Sequence, residues 1–326
     1  FELIGSRGKT GERGADLINR LGVETVKQYL TRDLQNRPDQ QVVECHTKLI
    51  EDQSDKTILR IRATCGEVDS KQLRKIADIA ERFGKGFVHF VVRGSPEIPC
   101  IDKQHIPDIE KELGTVGLRI LDGGIDNLQT CYGGCCTESI MNTHPLLRGI
   151  ERKIDELGMR DLKIKISAAG CPSSCGIAHL SDIGFHGGVE PEVNASLCDG
   201  CGLCVPICKR KAIEIKDGIA IVDNEECRYC GQCLSVCPFE AITEKRRGYA
   251  VLVGGHEGKD TRLGTVIAQF VSEETALQIA EKCLNLVRAR GADVAAIIDE
   301  IGIDKVKEKL TSFSDSIAVT TNNNQE

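Results

Sequence analysis

Thirteen of the 17 cysteines fall between Cys131 and Cys237. Two runs inside that stretch share one spacing: Cys198-x2-Cys201-x2-Cys204-x3-Cys208, and Cys227-x2-Cys230-x2-Cys233-x3-Cys237-Pro238. Thiolates spaced in this way wrap one face of an iron–sulfur cubane, and the fourth thiolate of each run ligates the other cluster. The pattern predicts one [4Fe–4S] cluster on Cys198, Cys201, Cys204 and Cys237, and a second on Cys227, Cys230, Cys233 and Cys208. Zinc sites or disulfides are the bland alternatives, and two complete runs with Pro238 behind the last cysteine argue against both. A third group comprises Cys131, Cys135 and Cys136, then Cys171 and Cys175. Two pairs flanking a folded segment could hold a third cluster; structural zinc or reduced thiols are the alternative. Cys45 and Cys283 read as small buried hydrophobes.

Composition bounds the rest. The 326 residues suffice for two or three domains. Hydrophobic content is 40% and charged content 28%, as in ordinary globular proteins. Aromatics make up 4% and Trp is absent, which argues against a stacking platform for nucleic acid. The formal charge of −7 argues against a nucleic-acid or anionic-membrane partner for the surface as a whole, and leaves room for a local cationic pocket. No apolar run is long enough to span a membrane, and the first residues lack a signal-peptide pattern. Abundant cysteines then predict metal ligands in a reducing cytoplasm. Phe1 is not a natural start, so the true N-terminus is expected upstream.

The elements that must position these residues follow from periodicity. A polar arm at 1–13 leads to a helix near 14–30. Ile58 to Ala63 alternates, placing Leu59, Ile61 and Ala63 on one strand face and Arg60 and Arg62 on the other. A helix is predicted over 70–84, with Leu73, Ile76, Ile79, Ala80 and Phe83 on its stripe. Phe87 to Arg93 reads as a second strand with His89 and Arg93 on one face. Helices follow near 105–113 and 146–158. Leu162 to Ser167 alternates again, turning Leu162, Ile164 and Ile166 to a core and Lys163 and Lys165 together to the opposite face. Asp217-Gly218 between 212–215 and 219–222 signals a hairpin. A strand at 249–253, helices at 273–290 and 292–311, and a polar tail at 318–326 complete the chain.

Gly170-Cys-Pro-Ser-Ser-Cys-Gly176 followed by Ser181-Asp182-Ile183-Gly184 resembles the second cysteine pair of sirohaem sulfite and nitrite reductases. The lysine strand at 162–167, the stretch 87–101 and the strand and Gly-Gly turn at 249–255 resemble other segments of that family, in order, over roughly residues 55–310. An inserted ferredoxin is similar to the dissimilatory and anaerobic sulfite reductase branch. The resemblance implies an α/β (α+β) fold: sulfite-reductase-like sheet-and-helix domains carrying an inserted two-cluster ferredoxin. The expected segments are an N-terminal arm and helix at 1–50, a ferredoxin-like half-domain at 51–115, a sirohaem and [4Fe–4S] domain at 116–190 and 246–317, the insert at 191–245, and the tail.

The resemblance also implies roles. Cys131, Cys136, Cys171 and Cys175 would hold the third cluster, with Cys135 an alternative to Cys136, and Cys175 would be shared with the sirohaem iron. Lys163 and Lys165 would hold substrate and supply protons, and Arg93 would help hold substrate. Arg60, Arg62 and Arg93 would contact the carboxylates of the macrocycle, for which the planar guanidinium fork is suited. The implied activity is six-electron reduction of sulfite to sulfide, with nitrite to ammonia as competitor. A non-catalytic electron-transfer protein is the reading from a different class. One apparent family half per chain implies a homodimer or a homologous partner subunit. The lack of a nucleotide fingerprint implies a separate electron-donor protein. Two departures stand out. Cys131 to Cys136 leaves four residues between, one fewer than the family's usual first pair, and Gln129 lies near where relatives carry a substrate-binding arginine.

Overall fold

The computed structural model describes residues 20, 55–121, 123–125 and 128–312. The helix expected at 14–30, Cys45 and the tail lie outside these residues, Arg20 excepted. The chain divides into units Phe1–Lys56 and Thr57–Glu326, and the following concerns the second.

Its first part is a three-stranded sheet ordered β1-β3-β2, from β1 (Lys56–Arg60), β2 (His89–Phe90) and β3 (Pro96–Asp102). The alternation at 58–63 is expressed directly: Leu59, Ile61 and Ala63 are buried. Between β1 and β2 runs α1 (Ser70–Phe83), started by a capping box in which Asp69 accepts from Lys71 and Gln72 while the Gln72 side chain returns to the Asp69 N–H. Ile76, Ile79 and Ala80 pack with Leu59, Ile61, Ile98 and Ile101, joined by Ile109 and Leu113 of α2 (Ile106–Gly114). Each of these leucines and isoleucines contributes about 1.5–3 kcal/mol on burial. Leu73 stays exposed, so the apolar stripe is narrower than predicted.

The strand expected over 87–93 is two residues long. His89 and Phe90 pair antiparallel with Glu97 and Pro96, and Val91 accepts from Gly94 in the turn between. Val92 and Phe90 are exposed, so this β-branched run has no face to bury; β3 supplies the buried strand. Arg93 lies in the turn, not on a strand face with His89.

The second part is a five-stranded mixed sheet ordered β10-β9-β6-β5-β4. It comprises β4 (Gln129–Thr130), β5 (Ile166–Ala169), β6 (Ile183–Val193), β9 (Ile242–Val253) and β10 (Thr265–Val271). β4, β5 and β6 are parallel, and β6–β9–β10 antiparallel. One face packs under α3 (His144–Glu156) and three C-terminal helices, burying Ile150, Ile154, Ile166, Phe185, Val251, Ile279 and Leu284.

β6 and β9 run on together past the rest of the sheet, and the segment between them is the cysteine-rich insert. It holds α4 (Cys204–Ile207), the hairpin β7 (Ile213–Lys216) and β8 (Ile219–Val222), and α5 (Gln232–Ser235). Asp217 and Gly218 both have positive φ, 51° and 76°, as a type I′ turn requires. At the C-terminal end, α6 (Glu273–Arg290) matches its predicted span. The single helix expected over 292–311 is two, α7 (Val294–Ile301) and α8 (Ile303–Thr311). Gly302 between them has φ 84° and ψ 150°, outside helical space.

Candidate iron–sulfur and anion site

The insert brings its eight cysteines together crosswise. Cys198, Cys201, Cys204 and Cys237 line one small cavity with Gly202, Ile215 and Ala220. Cys208, Cys227, Cys230 and Cys233 line another, of about 100 Å³. The crossing has a local cause: Cys208 follows α4 and Cys237 follows α5, so each short helix carries the last thiol of its run away from the first three. Backbone N–H groups point at the sulfurs: Ala220 to Cys198 at 3.4 Å, Ala212 to Cys208 at 3.3 Å, Ala241 to Cys237 at 3.3 Å and Tyr229 to Cys227 at 3.4 Å. Burial, and then the neighbouring thiols, raise the pKa of Cys204 and push that of Cys233 up to about 12. Such crowded thiols are held as protonated groups unless a cation replaces the protons. Among the described residues no three His, Cys, Asp or Glu side chains converge as for a single ion; the thiols instead surround volumes.

The third group forms where β4 and β5 end. Cys131 follows β4, and its sulfur accepts from Gly170 N at 3.1 Å. Burial first, and then Cys171, Cys175 and Cys136, raise the Cys131 thiol; Cys135 and Cys136 are both exposed. The loop after Cys171 folds back along β5 because Gly176 has no side chain: a Cβ there would collide with the Ala168 carbonyl and press on Cys131 N. This third group adjoins the insert, since Cys171, Pro172 and Ser173 line the same cavity as Cys208, Cys227, Cys230 and Cys233. Gln232 Nε2 donates to Glu138 Oε2 at 2.7 Å across the junction.

Cations collect at the opposite end of β5. Lys163 and Lys165 flank buried Ile164 and line a cavity of about 150 Å³ with Gly124, Asp182, His256 and Asp293. Lys165 Nζ donates to Glu257 Oε1 at 3.1 Å, and Arg93 binds the same oxygen through Nε at 3.1 Å and Nη2 at 2.9 Å. Partial burial opposes ionisation of Glu257, but the Lys165 and Arg93 contacts outweigh it and hold its carboxyl below the ordinary range. Arg60 pairs with Glu97 at 2.6 Å, and Arg62 donates to the Ile125 carbonyl at 3.0 Å. Of the three arginines singled out in the sequence, Arg93 thus meets a lysine of the 162–167 stretch through a shared carboxylate. Gln129 Nε2 donates to the Val92 carbonyl, while its Oε1 is buried without a partner. Sequence patterning does not single out Glu257; its one local signal is its place in the glycine-rich turn Gly254-Gly255-His256-Glu257-Gly258.

Comparison with known proteins agrees with this geometry. Residues 123–315 match the family described as the nitrite and sulphite reductase 4Fe-4S domain, and residues 50–116 match the nitrite/sulfite reductase ferredoxin-like half domain. The coenzyme F420-dependent sulfite reductase of Methanocaldococcus jannaschii is 30% identical over 262 residues, 77% of this chain and 42% of that enzyme. The anaerobic sulfite reductase of Salmonella typhimurium has a subunit that is 28% identical over 244 residues, 68% of this chain and 72% of that polypeptide. The crystal structure of dissimilatory sulfite reductase I superposes with a TM-score of 0.62 at 15% identity, covering 79% of this chain and 69% of that one; this likeness speaks for the fold alone. The family match takes in β4 to β10, the insert and all three thiol groups, and on that ground the chain belongs to the nitrite and sulphite reductase family.

Proposed function

We propose that this chain is a sirohaem- and iron–sulfur-dependent reductase that carries sulfite to sulfide, with electrons relayed through three [4Fe–4S] clusters. The observation that carries this reading is the cavity shared by the second thiol group of the insert and Cys171 of the third. Electrons would enter at the Cys198 group, beside the exposed side chains of Leu197, Leu203 and Phe239, pass to the Cys227 group, and cross to Cys131, Cys136, Cys171 and Cys175. A separate donor protein would dock at the outer group. The segments 51–115, 116–190 with 246–317, and 191–245 would act as half-domain, catalytic domain and ferredoxin insert. The reading also includes an identical or homologous partner subunit and a cytoplasmic setting. Among the described residues no helix is long and apolar enough to cross a membrane.

The residues fit both groups. Grouped thiols with N–H donors aimed at sulfur suit cubane clusters. Clustered arginines and lysines suit an iron macrocycle edged with carboxylates. Cys175 would help hold both the cluster and the sirohaem, and Arg93 would take a macrocycle carboxylate or the substrate; Arg60 and Arg62 would do so by exchanging Glu97 and the Ile125 carbonyl. When bound, sirohaem would supply an iron that coordinates the oxyanion and passes it electrons. Lys163 and Lys165 would hold the anion and donate protons as S–O bonds break. Nitrite is the alternative substrate, and the neutral Gln129 favours a less charged anion.

The test is an anaerobic visible spectrum, acid–acetone extraction of pigment and an iron assay. An extractable iron isobacteriochlorin with about 13 irons per chain is expected for three cubanes and one macrocycle. About 12 irons without pigment would instead mark an electron-transfer protein, and about 8 would remove the third cluster.

A further inference from the structure

Lys165 and Arg93 already share an anion, and it belongs to the chain. Glu257 and Lys165 each keep 30% of their side-chain surface exposed and Arg93 keeps 6%, so these contacts are less screened than surface ion pairs. Glu257 is carried on a narrow loop that leaves β9 through Gly254-Gly255 and is closed by reciprocal backbone hydrogen bonds between His256 and Arg262, both 2.9 Å. Arg262 is tied to Asp299 at 2.8 Å, which anchors the returning limb. The tip, Lys259 to Thr261, is exposed, and Gly258 has φ 124°, a conformation that side-chain-bearing residues rarely adopt.

We propose that Glu257 is a resident competitor: its carboxylate occupies the anion position between Lys165 and Arg93, and an anionic ligand binds by displacing it and turning the 256–262 loop outward. The inference rests on the reading of Lys165 and Arg93 as anion-binding residues. The contact geometry supports it, because Glu257 shows in place that one carboxylate oxygen satisfies both cations at hydrogen-bonding distance. A macrocycle carboxylate and a substrate oxyanion present the same chemistry to this pair. Binding that must first open an internal contact is weakened by the fraction of molecules already open. Glu257 thereby sets the affinity of the site without touching the reacting atoms, as a positioning residue.

The experiment compares wild type, Glu257→Gln and Glu257→Asp as full chains purified anaerobically. One arm measures sulfate affinity by calorimetry, and the other the pigment retained per chain through gel filtration. Glu257→Gln is expected to raise one of these about tenfold, the equivalent of about 1.4 kcal/mol, and the arm that moves identifies the source of the displacing anion. Glu257→Asp, which keeps the charge but loses a methylene of reach, should fall between. In the sulfate arm, the anion should also speed tryptic cleavage at Lys259 in wild type, but not in Glu257→Gln, whose loop is already released. Equal values in both arms overturn the proposal while leaving the anion site standing. No sulfate binding and no pigment in either chain overturns the proposal and the anion-site reading together. Should Glu257→Gln fail to fold, judged by cluster absorbance, Glu257→Asp against wild type decides.

Discussion

Cys171, beyond the end of β5, and Cys230, in the insert, line one cavity. The relationship is built by β6: Val189 on that strand bridges to Cys230 and donates to the Tyr229 carbonyl at 2.9 Å, so the insert's second cysteine run is pinned to the sheet. The Cys198 cavity, by contrast, is lined only by residues of the insert or its junction with β9, and takes in none of the Cys171 loop. The two insert groups are therefore unequal, one inner and one outer.

That inequality predicts different losses. Cys233→Ser should remove about four irons and stop reduction of the third cluster by the donor protein. Cys198→Ser should also remove about four irons, but leave the third cluster reducible by a small-molecule reductant acting at the inner group. Low-temperature electron paramagnetic resonance of each variant reads both results. Identical third-cluster signals in the two variants after reduction by the small-molecule reductant would remove the order of relay.

The choice between adjacent thiols is equally sharp. Cys136 acts on the Cys131 thiol together with Cys171 and Cys175, and Cys135 and Cys136 are both exposed. Cys136→Ser should lose the third cluster, about four irons, and Cys135→Ser should keep it. Iron counts on the purified variants decide; the reverse pattern would move ligation to Cys135.

Lys163 lines the lysine cavity from outside the core, so its substitution leaves the core intact. Lys163→Ala is expected to lower sulfite turnover at least a hundredfold, about the usual contribution of a positioned proton donor, with cluster absorbance unchanged. Unchanged turnover would take Lys163 out of the chemistry.

The grouping of the insert's cysteines was legible in the sequence because two runs repeat one local spacing, and α6 because its periodicity is unbroken from the Ser272 cap to Gly291. β6 was not, because Gly187-Gly188 and Pro191 read as turn residues; their backbone is nonetheless laddered to β9 along its length, with a register shift at Glu190/Pro191. The strand expected at 87–93 failed for the opposite reason: β-branched and aromatic residues promised a strand, but Phe90 and Val92 stay exposed among the described residues. Glu257 could not be seen at all, since it meets Arg93 across 164 residues of sequence. Ion pairs made through space leave no periodic trace.

Acid should destabilise the sheet through a stacked pair of imidazoles, His186 buried and His179 half-buried. His179 and His186 stack with ring centroids 5.3 Å apart and planes at 17°, and His186 Nδ1 donates to the Gly187 carbonyl at 3.0 Å. Burial lowers both pKa values below the ordinary 6.5, helped by the charge of Arg228 at His179 and by the neighbouring His179 ring at His186. A group depressed on folding takes up its proton in the unfolded chain first. The stability it contributes is therefore complete above about pH 6.5 and is lost as pH falls toward the folded value. Wild type should lose thermal stability between about pH 7.5 and pH 5.5, and His186→Asn, which cannot titrate, should lose measurably less. Parallel melting temperatures for the two chains across that interval would show that the stacked pair does not set the acid limb.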